Sequence, residues 1–254
     1  MEYFVSSHSI VRKIWGRADT VLLIFAGASA EFALNKAVDW LYFTGKLPAD
    51  PIGRLFSTVT YARKIIFREK QAALQAIDQI STIHKGVEQS RGANIPDWAY
   101  RDVLFMLIDY TIRSFELLHR KLTGNEKAEI FDVFYRFGER MHIPGLPENF
   151  SQWETMRQEH LSANLSASKF TVDLYRQYKK NLGTLRFYLL KQVQILLVPR
   201  RVNRLLALGS WSLLAPAIPL YKLARRLQLD KFVQDILFPH QYKQQIRELD
   251  NPQI

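Results

Sequence analysis

The sequence has no cysteine in its 254 residues. Disulfide-stapled scaffolds, thiolate nucleophiles, Cys-type zinc sites, iron–sulfur clusters and covalently attached c-type haem are therefore excluded. Strand-like alternation of apolar and polar residues is scarce, and no internal repeat or low-complexity tract stands out. Long apolar runs are scarce too. "VLLIFAGASA" (21–30) is shorter than the roughly 20 residues a bilayer-spanning helix needs, and "LLALGSWSLLAPAIPLY" (205–221) is interrupted by two prolines. Arg12, Lys13, Arg17 and Asp19 break up the apolar residues near the start, and no cleavage-site pattern follows. No signal peptide is expected, and the expected location is cytoplasmic or peripheral to a membrane. Glycine-rich dinucleotide fingerprints, phosphate loops and nucleophile elbows are absent.

Histidine is sparse and dispersed. The six are His8, His84, His119, His142, His160 and His240, and no two share helical i, i+3 or i+4 spacing. A zinc-protease helix is thereby excluded. E-x-x-H occurs twice, at Glu116 to His119 and at Glu139 to His142. A di-iron bundle needs, besides two such motifs, two further inward glutamates, and the Glu116 to His119 copy reads as surface.

What the chain does have is apolar mass and positive charge. Hydrophobic residues make up 48% and aromatics 13%, enough for one sizeable core. The net charge is +11, and from Asn164 onward there are 15 Lys and Arg against 5 Asp and Glu. Such asymmetry suits an anionic membrane, nucleic acid, an anionic ligand or simply a solvated basic surface.

Apolar spacing predicts helices almost throughout. Residues 9–43 read as two, the first short and amphipathic, the second nearly all apolar up to Lys36. Asp50 followed by Pro51 signals a helix start, and that helix runs from about Ile52 to Phe67. The next spans about Lys70 to Gln89 and carries Ala73, Ile77, Ile80, His84 and Val87 on one face. Further helices are expected from Asp97 to about Lys121, after Thr123 or Asn125 as cap, over Glu154–Leu161, over Leu165–Tyr178, and from Gly183 to Leu197. The fold class is thus all-α, a single domain over 1–254. Its motif-bearing core lies at about 20–160, and a basic, apolar C-terminal part at about 164–254. The uncharged stretch 205–221 is flanked by Arg200, Arg201, Arg204, Lys222, Arg225 and Arg226. It either completes the core or forms a pair of short helices on a bilayer surface.

The informative combination is "DPIGRLFST" followed by "STIHKGV". Arg54 and Thr58 share a helix face, with Ser57 beside them and Tyr61 one turn on. His84 alone would be a satisfied core histidine or a ligand. If the two helices fold back as a hairpin, however, His84 and the Arg54/Thr58 cluster fall at comparable heights across an apolar gap. That suits a planar, dianionic, apolar cofactor held edge-on, with imidazole as axial ligand and arginine on a propionate. Gly86 would remove bulk beside the ligand turn.

At these residues the sequence resembles the haem-b oxygenase superfamily of the latex-clearing rubber oxygenases and of the fungal endoplasmic-reticulum oxygenase of mycophenolic acid biosynthesis. The resemblance runs from about Ile24 to Pro147. It rests on the small-residue helix "LLIFAGASAEFALN", on "DPIGRLFST" matching D-P-x-x-R-x-x-x-T, on "HKGV" matching H-x-x-V, on Ile108-Asp109 and on "HIPGLPENFSQW". It implies haem b, with His84 as the iron ligand and Arg54 and Thr58 in the haem pocket. Some rubber oxygenases cap the iron with a lysine just before that threonine. Here the position is Ser57, which implies an open distal side for dioxygen or peroxide. The expected function is oxidation of a lipophilic, isoprenoid or alkene substrate, with Arg54, Ser57 and Thr58 in the reactive pocket and Phe25, Phe56 and Phe105 shaping it. A haem sensor or carrier and a cofactor-free membrane-surface module are the alternatives. An anionic membrane surface is the expected macromolecular contact, through residues 198–226, and no nucleic acid is expected.

Overall fold

A computed structural model describes residues 2–45 and 49–226. The order is α1 (Ile10–Trp15), α2 (Ala18–Phe32), α3 (Val38–Phe43), α4 (Pro51–Phe67), α5 (Lys70–Arg91), α6 (Asp97–Leu118), α7 (Gly124–Arg140), α8 (Phe150–Ala163), α9 (Lys169–Leu197), α10 (Arg200–Leu206) and α11 (Ala217–Arg226). Among the described residues there is no strand, only two isolated bridges, Tyr3 with Glu69 and Asn35 with Leu165. The chain is all-α, as its periodicity predicts.

The helix starts follow local chemistry. Asp50 accepts a hydrogen bond from the Gly53 backbone N–H, and Pro51 occupies the first turn of α4. Thr123 and Glu126 form a reciprocal capping box at α7. Ser168 and Thr171 do the same at α9. The expected second helix proves to be two. Asn35 breaks it, its side-chain carbonyl accepting from the Ala37 N–H while its amide donates to Asp102. Propensity could not anticipate this, because Asp102 lies on a distant helix. The helix expected over Glu154–Leu161 starts earlier, at its Asn149 cap.

The centre of the molecule is α2 packed on α6, with α1, α7 and α8 around them. Trp15, Ile24, Phe105, Ile108, Tyr110 and Ile130 are fully buried there. α4 and α5 form the expected antiparallel hairpin. α9 crosses α2, α4 and α6. It is interrupted at Gly183 (φ 75°, ψ 168°), between the two segments the sequence separates. In the C-terminal part, α10 and α11 flank an irregular connection over 207–216. The expected basic C-terminal part continues beyond 226, outside the described residues.

One buried cluster was not foreseen. The Arg157 guanidinium on α8 is 1% exposed and donates to both oxygens of Glu31 on α2 and to Asp109 on α6. Arg113 engages the other Asp109 oxygen, and the Tyr110 hydroxyl donates to Glu31. Burial alone would lower the Arg157 pKa, but Glu31 and Asp109 outweigh it and raise it. Two cations thus meet two carboxylates and tie three helices together.

Candidate functional site

Between α2, α4, α5, α6, α9 and α11 lies an apolar cavity of about 950 Å³. That is at the upper end of the roughly 300–1,000 Å³ typical of ligand pockets. Its walls include Leu22, Phe25, Phe56, Leu107, Leu190 and Val193. α5 changes role along its length. Ala73 and Ile77 are buried in the core, whereas Ile80, His84 and Val87 on the same face line the cavity. The imidazole therefore stands where this helix face leaves the core and meets open space.

Arg54, Ser57 and Thr58 line the same cavity from α4, joined by Tyr61. The hairpin thus brings the two sequence motifs to one site. The Arg54 Nη1 donates to Thr58 Oγ1 at 3.2 Å, and Thr58 Oγ1 donates back to the Arg54 carbonyl at 3.1 Å. Thr58 thereby fixes the arginine along its helix. Burial lowers the Arg54 pKa, with Tyr61 opposing. Ser57 is exposed and borders the same space.

His84 Nδ1 is buried and has no hydrogen-bond partner. The ring meets Tyr100 edge-on, with centroids 5.3 Å apart. The Tyr100 hydroxyl is turned away to Glu88. Burial lowers the His84 pKa, the positive charge of Arg54 adds to this, and Glu88 opposes. The imidazole is therefore neutral at neutral pH, the state in which it can offer a lone pair. Burying an imidazole nitrogen without a partner costs free energy, so an orphan in a large cavity suits a ligand-binding group.

Residues 12–229 match the family model described as ER-bound oxygenase mpaB/B'/Rubber oxygenase, catalytic domain. The chain belongs to this family. A comparison with curated proteins found no match. The match extends well beyond Pro147, so it takes in α9, α10 and α11 as part of the oxygenase domain.

That extension matters, because α9 supplies a residue the sequence reading missed. Arg186 lines the cavity, and its Nε is buried without a partner. Leu182, Leu189, Leu190 and Val193 flank it on the lining face. The cue in the sequence was Gly183, which redirects the helix just before the arginine. Asp19 is the one carboxylate among the lining residues, and it accepts from the Tyr221 hydroxyl at 2.8 Å.

Two expectations need correction. Phe25 and Phe56 line the cavity, but Phe105 does not: it is buried against Trp153 and His160. Gly86 has nothing within 4 Å of where a Cβ would stand, so it makes no room beside His84. It lies on the outer side of α5. The Glu116–His119 motif, expected at the surface, proves structural and partly buried. Glu116 engages Lys121 and Lys127, and His119 stacks on Phe115. Among the described residues, no three of His, Asp and Glu gather closely enough to hold a metal ion by themselves.

Proposed function

We propose that this chain is a haem-b oxygenase acting on a lipophilic substrate of isoprenoid or alkene type. The observation that carries the proposal is the neutral, unpartnered imidazole of His84 in a large apolar cavity that also holds two arginines. A haem would be held by a side chain able to ligate its iron, cations for its two carboxylates and an apolar slot. His84, Arg54 with Thr58, and Arg186 fit those three needs. Membership of an oxygenase family agrees with the assignment.

When bound, haem iron would supply activation of dioxygen or peroxide, which no side chain here can perform. The chain's own residues do the rest. His84 offers a ring nitrogen, and the surrounding apolar wall keeps that nitrogen unprotonated. Arg54 and Arg186 stand as counter-ions for carboxylates, with Thr58 holding Arg54 in orientation. Ser57 borders the cavity where some relatives carry a lysine, leaving a smaller, neutral hydrogen-bonding group there. Leu107, Leu190, Val193 and their neighbours exclude water and receive an apolar substrate.

The test is an absorption spectrum of the purified protein after haem supplementation, oxidised and then reduced under CO. A Soret band that shifts with CO is expected, together with its loss in His84→Ala. No Soret band, or a His84→Ala variant that binds haem unchanged, overturns the proposal. CO binding without dioxygen consumption on lipophilic alkenes would assign a haem carrier instead.

A further inference from the structure

Large apolar side chains exposed to water concentrate in one part of the described chain. Leu185, Tyr188, Trp211, Leu213, Leu220 and Leu223 are all exposed, Trp211 by 61% and Leu220 by 68%. They sit on the two segments that also wall the cavity. On α9, Leu182, Arg186 and Val193 face inward, while Leu185 and Tyr188 face out. The spacing of Leu185, Tyr188 and Gln192 places all three along one helix face. Gln192 is where the 211–213 turn is fastened. Ser212 Oγ donates to the Gln192 carbonyl at 2.8 Å, and the Leu213 N–H donates to Gln192 Oε1 at 2.7 Å. Trp211 and Leu213 flank that anchor, so they extend the stripe begun by Leu185 and Tyr188. On α11, Ala217, Ile218 and Tyr221 line the cavity, whereas Leu220 and Leu223 are exposed.

The segment of chain that carries this stripe has side-chain charge of one sign. Between Asp173 and Asp230 the sequence contains 11 Lys and Arg, of which Arg186 faces the cavity, and no carboxylate side chain. An apolar stripe bearing tryptophan, tyrosine and leucine and framed by cations suits the interface of an anionic bilayer, where apolar side chains enter the acyl boundary and cations meet headgroups. Nucleic acid would instead call for aromatics interleaved with arginines along a groove. Among the described residues no helix is long and apolar enough to cross a membrane, so the contact is one of lying on the surface.

We infer that the wall formed by α9 beyond Gly183, the 211–213 turn and α11 docks on an anionic lipid bilayer. Lipophilic substrate then reaches the cavity from the lipid phase through that wall. The docking surface stands on exposure and charge alone, while its use for substrate delivery rests on the function proposed above.

The experiment uses the full chain and vesicles of phosphatidylcholine, with and without phosphatidylserine, read by co-sedimentation. Binding to the anionic vesicles is expected, weakened by added salt. Trp211→Ser with Leu213→Ser, and separately Leu220→Ser with Leu223→Ser, should each weaken binding roughly tenfold or more. Val172→Ser removes an apolar residue 62% exposed on α9 before its break, and should bind as the parent chain does. Brominated lipid provides a reading that does not depend on those variants folding: it should quench tryptophan emission in the parent chain and lose most of that effect in Trp211→Phe. Absence of anionic-vesicle binding, unchanged binding by both double variants, self-association through these residues in place of vesicle binding, or displacement of vesicles by any RNA would overturn the inference. The haem spectrum is taken separately. Vesicle binding without a Soret band would keep the surface and remove the proposed function, and a Soret band without vesicle binding would do the reverse.

Discussion

Gly27 on α2 faces the ring of Tyr110 on α6 so closely that a Cβ at Gly27 would lie 2.3 Å from the ring. The ring has no room to retreat, because Tyr110 is fully buried and its hydroxyl donates to Glu31 at 3.0 Å. The small-residue stretch of α2 is thus what lets the two central helices approach. Gly27→Ala should destabilise the fold by about 1–3 kcal/mol through overpacking, despite its better helix propensity. The midpoint of urea unfolding measures this.

Arg157→Met should cost about 3–5 kcal/mol, since it leaves buried carboxylates without their cation. Asp109 keeps Arg113, so Glu31 is the group most exposed to the loss. Combining Arg157→Met with Glu31→Gln should therefore cost less than the sum of the two single changes. Chemical denaturation of the four proteins closes the cycle.

Arg186→Gln tests the second cavity arginine. An unpartnered, partly buried cation contributes nothing to stability, so the thermal midpoint should hold or rise. Affinity for haem should fall roughly tenfold to a hundredfold, matching the loss of a charged hydrogen bond of about 1.5–3 kcal/mol. Arg186→Lys should recover part of it. Haem titration followed by absorbance, beside a melting curve, separates the two effects.

At Gly183 the φ of 75° with ψ of 168° is backbone that only glycine adopts readily, and a Cβ there would meet nothing within 4 Å. Gly183→Ala should thus cost about 1–3 kcal/mol from conformation alone. It should also shift the second half of α9, and with it Arg186. A drop in haem affinity together with stability is the expected signature of this variant.

Glu126 gives the pH dependence of the α7 cap. Hydrogen bonds from Arg120 and from the Thr123 backbone lower its pKa from 4.5 to about 2. A depressed carboxylate contributes stability above its ordinary pKa, and that contribution disappears as pH falls from 4.5 through about 2. Glu126→Gln should therefore melt a few degrees lower than the parent at neutral pH, and the difference should vanish in strong acid. Melting curves across that range check the sign.

Much of the fold can be read from local signals. Asp50-Pro51, Thr123 with Glu126, and Gly183 act on their own neighbours, and each marks a boundary the structure keeps. The break at Asn35 was illegible because its partner, Asp102, is 67 residues away. Arg157 illustrates the same point: on its own helix it reads as a surface cation, and only Glu31 and Asp109, from two other helices, make it a buried one.

The sequence by itself determined that the chain is helical, that it has no thiol chemistry, and that His84 and the Arg54, Ser57 and Thr58 cluster lie on consecutive helices at comparable distances from the turn between them. Period and spacing carry that information. Tertiary structure decided that α5 leaves the core between Ile77 and His84, that Arg186 joins the same cavity, that Phe105 and Gly86 do not, and that the apolar C-terminal stretch forms one wall of it. Those outcomes depend on which helices meet, and helix packing is a property of the whole chain.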